Sequence, residues 1–468
     1  MKPAERSTNA RIAGLDGYPA LGLWSPQLRA TTAGLVMAVT LVAFEALAVI
    51  TILPVISGDL GGINLYGWVI SAFSLGTVFG IVAAGDQVDR RGPAPPFIGG
   101  LLLFSLGLLA GGLAPTMLVL VIARAVQGIG AGAIPSVAYA SIGRSYDDAV
   151  RPRMLAVLST AWVVPGLAGP SLAALVAAHA GWRWVFLGLL PLVAVSGTIA
   201  LGPLHRLGPP VQRRAAPFGR IADAARVSAG VGLLLGALNS RSAVVAPPLI
   251  LAAAAVAVRP LLRLIPVGTF RASSGLPAAV LSRGLLTFAF FGADTYVPLS
   301  LTSVRGQTPT FAAVAITAAT LSWTTGAWIQ ARQAPIWSAA RLVRTGFAVI
   351  LLGIAMVAAV LIPDVPVVVA IAGWLVAGLG IGIAYGSITL AVMRAAPPGQ
   401  EGSSAAAMQL FDNLGVALGA GLGGVAVAVG AAAGWAPRTG VAIAFAVATV
   451  AGLAGVAVSR RLPAVVRG

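Results

Sequence analysis

Residues Leu41–Pro54 read LVAFEALAVITILP, and the apolar run that holds them extends upstream to Thr32. A helix built from this run is apolar on every side, so it has no face to turn to water. A bilayer core about 30 Å thick takes about 20 such residues in one helix. The run therefore reads as a membrane span, with one acid, Glu45, set inside it. The rest of the chain has the same character. Of 468 residues, 58% are hydrophobic and only 9% are charged, and mean hydropathy is +0.95. A soluble domain of ordinary composition has about 25% charged residues, so this chain lacks the charge to cover a surface in water. A soluble enzyme, a disordered scaffold and a nucleic-acid reader are excluded together.

Fourteen runs of suitable length follow, beginning near Thr32, Tyr66, Phe97, Met117, Met154, Trp184, Ile221, Ala243, Leu276, Phe311, Leu342, Val365, Ser404 and Gly440. The seventh and eighth are the least regular. Asp223 and Arg226 stand near the mouth of one, and Pro247 and Pro248 lie in the other; with those two on the surface, twelve spans remain. The net charge of +17 is distributed by side. Cytoplasmic loops carry most of the Lys and Arg of a membrane protein. With both termini inside, basic residues gather in the amino tail, in the loops after even-numbered spans and at the carboxyl end. Arg283 is grouped with the loop after span 8. Only Arg183, Arg241, Arg305 and Arg438 fall outside, and Arg124 alone is left within a span. The first 29 residues read as a cytoplasmic tail with no cleavage-site pattern. The positive surface thus faces the membrane's cytoplasmic side and is no nucleic-acid footprint.

Elimination narrows the chemistry further. The chain has no cysteine and only two histidines, His179 and His205, so thiolate and histidine metal clusters are excluded. The single lysine, Lys2, belongs to no phosphate-binding loop. No metal or other cofactor is expected, and no serine–histidine, metal or paired-aspartate arrangement at membrane depth suggests an enzyme.

The two ends of the chain repeat each other. RAVQGIGAGAIP, starting at Arg124, carries Gly128, Gly130 and Gly132; WLVAGLGIGIAY, starting at Trp374, carries Gly378, Gly380 and Gly382, an offset of 250. Gly169 falls on Gly419 at that offset, and Pro54 answers Pro298 at 244. Internal repeats of this kind mark secondary transporters, whose sites lie near the bilayer midplane between the repeats. The expected organisation is a tail over residues 1–31, a six-helix bundle over 32–206, a linker with two extra spans over 207–271, and a second six-helix bundle with a short tail over 272–468.

Three acids, Glu45, Asp294 and Asp412, lie well inside apolar runs. An ionisable group at bilayer depth costs at least about 2.5 kcal/mol, so such residues face a cavity or a partner. Glu45 lies about 13 Å from the outer end of its span and Arg124 about 10 Å from that of its own, at 1.5 Å per residue. The matched depths predict one polar pocket shared by Glu45 and Arg124, with Gln127 a turn away. Desolvation favours the neutral acid and a neighbouring cation favours the carboxylate, which suits a site where proton and substrate compete. Asp294, in FFGADTYVP, and Asp412, in QLFDNLG, are the corresponding candidates in the second half. Asp412 could hold a cation with Gln409 and Asn413, or neutralise an arginine near the cytoplasmic mouth. Trp162, Phe290, Phe291, Tyr296 and Trp374 are candidates for apolar and cation–π walls of a substrate pocket.

With these residues in view, the chain resembles the major facilitator superfamily, and within it the drug/proton antiporters with fourteen spans. GDQVDRRG after span 2 is similar to the family's signature loop, with Gly85, Asp89, Arg90 and Gly92 at its spacing. Arg124, Gln127 and Gly128 resemble its arginine motif, and Glu45 stands where the family usually places aspartate. VVPGLAGPSLAALV resembles the antiporter motif through Pro165, Gly166, Gly169 and Pro170. The resemblance implies an all-α integral membrane protein of two six-helix bundles with two extra central spans. It implies gating by the signature loop, where Arg90 would pair with an acid such as Asp147 or Asp148, and helix packing by the glycines and prolines of span 5.

The expected activity is proton-coupled export of amphipathic or cationic small molecules by alternating access, by a monomer in the cell membrane, with protons, substrate and lipid as its partners. A dedicated exporter of one metabolite or lipid, and a membrane sensor on a transporter scaffold, are the alternatives. Topology is directly testable on this cysteine-free background. A single cysteine at Arg241 is expected to react with an impermeant maleimide from outside intact cells; protection there, with labelling only after permeabilisation, would overturn the fourteen-span order.

Overall fold

Lipid offers the backbone no hydrogen-bond partners, so a chain this apolar must satisfy its amides within helices. The computed structural model describes residues 23–146, 154, 157–158, 161–208, 219–240, 244–334, 336–397 and 401–462, and no strand occurs among them. The helices are α1 (Arg29–Leu60), α2 (Tyr66–Arg91), α3 (Ala94–Gly112), α4 (Met117–Ser145) and α5 (Val163–His179). Next come α6 (Arg183–Arg206), α7 (Gly219–Asn239) and α8 (Ala246–Leu264). The second part of the chain forms α9 (Leu276–Val304), α10 (Pro309–Gln333), α11 (Ala339–Ala359), α12 (Val368–Ala395), α13 (Glu401–Ala432) and α14 (Pro437–Ser459).

Among the described residues, 13 helices are long and apolar enough to cross a membrane. The remaining helix, α5, has 17 residues. Its expected start at Met154 is helical at residues 154, 157 and 158, and the residues between lie outside the described ones. The doubtful seventh and eighth runs are both helices. Pro247 and Pro248 fall in the first turn of α8, where the missing N–H has no intrahelical partner to lose. Proline also opens α3, α9, α10 and α14. Side-chain oxygens of Thr116, Thr308 and Ser338 accept from free amides at the starts of α4, α10 and α11.

α1 to α6 pack chiefly among themselves, as do α9 to α14. Hydrophobicity gives no drive for helix association in lipid, so close contact at small residues must supply it. A Cβ at Gly128 would stand 2.1 Å from the Phe73 carbonyl oxygen of α2, and one at Gly378 would stand 2.0 Å from that of Ala319 in α10. Gly132 meets Thr77 and Gly382 meets Trp323 in the same way. Gly169 lies on the Phe44 ring and Gly419 on the backbone of Phe288. The sequence offsets of 250 on one side of each contact and 244 to 246 on the other therefore join the same helix pairs in both parts.

α7 lies between the two groups. Its Ser228 donates to the Leu75 carbonyl of α2 at 3.0 Å, and Gly421 of α13 abuts Leu235. α8 rests on α7 where Gly230 meets Ala253 and Ala257, and Asp223 reaches Arg226 at 3.4 Å and Arg263 at 3.7 Å.

The two groups touch one another at the end of the molecule that holds the start of α2. Tyr66 donates to the Thr295 carbonyl at 3.4 Å and its ring lies 5.8 Å from that of Tyr296. Ser71 donates to the Ala417 carbonyl at 2.8 Å, and Gly166 of α5 presses on Thr320 of α10. The glycine contacts make a direct prediction. Gly378→Ala is expected to lower the thermal midpoint in detergent by several degrees, as overpacking of about 1–3 kcal/mol implies. Gly99→Ala, where a Cβ meets nothing within 4 Å, should leave it unchanged or raised. Equal behaviour of the two would overturn the packing account.

Candidate functional site

α1 and α4 bring the first-half acid and cation together as their depths imply. Arg124 and Glu45 form a salt bridge with side-chain exposures of 1% and 0%. The same Arg124 Nη1 donates to Gln127 Oε1 at 2.8 Å, and Nε donates to the Val69 carbonyl of α2 at 3.3 Å. Its guanidinium carbon lies 4.0 Å from the centre of the Phe73 ring. Among the described residues, Glu45 Oε2 and Gln127 Nε2 have no hydrogen-bond partner. Gln127, expected to touch substrate, is fully buried, packs against Gly107 of α3 and accepts from Arg124.

The second part holds its first acid differently. Asp294 of α9 is 2% exposed and accepts at 2.7 Å from the indole Nε1 of Trp374 on α12. Trp374 stands 250 residues after Arg124, at the head of the repeated glycine stretch. The repeat thus preserves a donor on the fourth span of each part, reaching an acid on the first, and replaces a cation with a neutral N–H. The acid has moved as well. At the offset set by Pro54 and Pro298, Glu45 answers Ala289, five residues before Asp294, about 7.5 Å along the helix.

Asp412 of α13 belongs to a third cluster that sequence reading missed in part. Arg283 Nε donates to Asp412 Oδ1 at 2.6 Å, and Nη1 to the Tyr385 carbonyl at 3.1 Å and Thr389 Oγ1 at 3.2 Å. The Tyr385 hydroxyl donates to Asp412 Oδ2 at 3.2 Å, and the guanidinium carbon sits 3.1 Å from the centre of the Tyr385 ring. The charge bias places Arg283 in the loop after span 8; the structure corrects this. Gly275 at φ +89 and Pro at the first turn start α9 at Leu276, so Arg283 lies about 10 Å inside the helix and is 2% exposed. Among the described residues, two arginines, not one, are buried within spans. The expected alternative for Asp412, neutralising an arginine, is the one its geometry matches. Asn413 turns away and donates to the Gln409 carbonyl of its own helix at 3.0 Å.

A row of rings joins the second and third clusters. Trp374 stacks on Phe290 at 5.1 Å and 16°. Phe290 meets Phe291 at 5.2 Å and Trp323 at 5.7 Å, and Trp323 meets Tyr385 at 5.3 Å. Phe291, Trp323 and Tyr385 are partly exposed, whereas Phe290 and Trp374 are buried. Tyr385 carries no sequence signal beyond its place one turn after Gly382 of the repeat, and Trp323 carries none. Two of the expected wall residues lie elsewhere. Trp162 is 45% exposed and has no place in the row of rings, because it stands before the first residue of α5. Tyr296 is fully buried, donates to the Ala420 carbonyl and lies beside the Tyr66 ring at the closed end.

The expected signature loop is helical. α2 runs through Gly85 and Arg90 to Arg91, and the chain turns only at Gly92, with φ +83. Arg90 Nε lies 2.9 Å from Asp86 Oδ2, one turn back. The Asp89 side chain, Asp147 and Asp148 lie outside the described residues. Pro165 and Gly166 open α5, and Pro170 lies inside it.

A helical membrane protein with buried ion pairs on repeated helices is the architecture of a secondary transporter. The sequence profile of the Major Facilitator Superfamily matches residues 35–420. A probable multidrug-efflux transporter of Mycobacterium tuberculosis is 30% identical over 436 residues, covering 89% of this chain and 91% of that protein. The crystal structure of a D-xylose–proton symporter superposes with a TM-score of 0.66 at 13% identity, over 93% of this chain and 98% of that one. An auto-inhibited peptide transporter of the POT family gives 0.65 at 15%, over 93% and 98%. The chain belongs to the Major Facilitator Superfamily, in its drug/proton branch; it is a multi-pass membrane transporter and not an enzyme.

The Asp294 contact is testable by stability. Trp374→Phe keeps a ring on Phe290 and removes the N–H, so the protein is expected to lose about 1–3 kcal/mol, the cost of an unsatisfied buried polar group. Adding Asp294→Leu should recover most of that loss in thermal unfolding. An unchanged midpoint in the single variant would refute the contact's importance.

Proposed function

We propose that this transporter exports amphipathic or cationic small molecules in exchange for protons, by alternating access between bundles 32–206 and 272–468. The observation that carries the reading is the buried triad of Glu45, Arg124 and Gln127. A charge pair with 1% and 0% exposure in the first bundle is costly to keep unless it works. A proton arriving at Glu45 Oε2, the oxygen without a partner, cancels the acid's charge and weakens its hold on Arg124. A binding event that favours one packing of α1 against α4 shifts the population of the state that contains it. Asp294, held by a neutral donor, is the proton site of the second bundle.

Arginine bias places both termini in the cytoplasm, so the closed end at Tyr66 and Tyr296 faces outward and the site opens inward. Gly92 and the Arg90–Asp86 pair at the end of α2, with Asp89 and Gly85, form the gate on the cytoplasmic side. Similarity to a protein named as a probable multidrug-efflux transporter over nearly the full length of both chains supports export of drug-like compounds. The proposed working unit is a monomer in the cell membrane.

The test is efflux of a fluorescent lipophilic cation from proteoliposomes under an imposed pH gradient. Glu45→Gln is expected to lower gradient-driven transport at least tenfold while inserting in the membrane at the wild-type level. Undiminished transport by that variant would overturn the proton assignment.

A further inference from the structure

The two central helices are short of negative charge at the end away from the closed one. Asp223 is the only acid between Asp148 and Asp294, whereas Arg220, Arg226, Arg259 and Arg263 all lie toward that end of α7 and α8. Asp223 is buried, and its Oδ1 alone serves two cations, Arg226 at 3.4 Å and Arg263 at 3.7 Å. Both distances are long for a charge-assisted bond, which is usually about 2.7–2.9 Å, and most N–H donors of each guanidinium fork are left unused. The two side chains are 57% and 67% exposed. Arg259, one turn before Arg263 on the same face of α8, is exposed and has no ion partner among the described residues. Asn239, at the other end of α7, donates to the Asn64 carbonyl in the turn between α1 and α2 at 2.9 Å, which sets that end at one face of the bilayer. Arg226 then lies about 20 Å along α7, and Arg259 and Arg263 about 20 and 25 Å along α8. In a core about 30 Å thick the second face is about 5–10 Å beyond them, a distance that long arginine stems span by extending toward the headgroups. Arg124 and Arg283 are sealed among helices with their counter-charges; these three arginines are open to lipid, and the anion a bilayer offers at their level is a lipid phosphate.

We infer that Arg226, Arg259 and Arg263 form a binding site for the headgroup phosphate of an anionic phospholipid, whose acyl chains lie along α8. Leu251, Val258 and Leu262 are exposed and make an apolar stripe at helical spacing, running from beside the arginines toward the midplane. Asp223 holds two of the guanidiniums at one oxygen, so that a single phosphate accepts from both. The charge left over on the third selects a headgroup with net negative charge over a zwitterionic one, whose ammonium the arginines repel. Bound across both helices, the lipid secures α8, which rests chiefly on α7. The site is independent of what the protein transports and of which way it faces.

The discriminating measurement is local fluorescence quenching. Leu262→Cys in the cysteine-free chain carries a bimane at the site. Leu453→Cys carries one on an exposed position of α14, toward Arg460 and Arg461 at the same end of the molecule, where Arg461 already donates to the Arg271 and Ala272 carbonyls. The full-length protein is placed in phosphatidylcholine nanodiscs holding a small fraction of nitroxide-labelled phosphatidylglycerol or of nitroxide-labelled phosphatidylcholine. The phosphatidylglycerol is expected to quench at residue 262 at least about threefold more than the phosphatidylcholine, and at residue 453 no more than about 1.5-fold more. Arg226→Gln, Arg259→Gln and Arg263→Gln together should remove the difference at residue 262. Should that variant fail to fold, Arg259→Gln alone leaves both Asp223 contacts standing and should about halve the preference. Equal quenching by the two lipids at residue 262 overturns the inference, as does an undiminished preference in either variant. A preference at residue 453 as large as that at 262 overturns it too, because the general attraction of a basic surface then accounts for both.

Discussion

A guanidinium at the depth of a bilayer core must find its counter-charge and its hydrogen-bond acceptors within the protein, and the rest of this structure is arranged around that requirement. Arg124 meets it with Glu45, Gln127 and the Val69 carbonyl, drawing partners from α1, α2 and α4. Arg283 meets it with Asp412, Thr389 and the Tyr385 carbonyl, drawing on α12 and α13. Removing one member of such a pair strands the other, at about 3–5 kcal/mol. Each arginine thus fixes how three helices stand relative to one another, and the neighbouring rings of Phe73 and Tyr385 cover the guanidinium where no acceptor does.

The two parts of the chain share a scaffold and differ in what they hang on it. Backbone contact at Gly128 and Gly378 sets the same spacing between the second and fourth helices of each part. Within that fixed frame the side chain at the head of the glycine stretch is free to change, and it is Arg124 in one part and Trp374 in the other. The cation demands an acid with full charge beside it, whereas the indole asks only for an acceptor. The second arginine then appears at a position with no basic counterpart in the first part, since residue 39, at the offset of 244 that relates α1 to α9, is valine.

The long apolar helices, the glycine repeat and the Glu45–Arg124 contact were legible because each depends on local quantities: run length, residue size and depth along a helix. Depth alone could not pair Asp412 with Arg283. A charge bias is a statement about populations of arginines, and it assigns an individual near a span end to the loop by default. The rings show the same limit. Phe290, Phe291 and Trp374 drew notice beside an acid in sequence, but only Phe291 of these keeps an open face, and the other open faces belong to Trp323 and Tyr385, whose exposure depends on how α10 and α12 are rotated. Tyr296, expected at a pocket wall, instead donates to the Ala420 carbonyl and lies beside the Tyr66 ring at the closed end, contacts between distant helices that leave no mark in the hydropathy pattern.

Where the charges lie also bears on motion. Every ion pair among the described residues joins partners within α1 to α6, within α7 and α8, or within α9 to α14. Polar contacts across the closed end are of another kind: Tyr66 to the Thr295 carbonyl, Ser71 to the Ala417 carbonyl, and Ser171 to Thr317. Each neutral bond of this type contributes only about 0.5–1.5 kcal/mol net, and water entering an opened cleft replaces it. Parting the two groups at this end therefore leaves every buried charge with its partner. Had a pair such as Arg283–Asp412 bridged the groups, each opening would have stranded two ions at membrane depth. With the ions confined to single groups, the balance between states stays within reach of a bound proton or a bound cation.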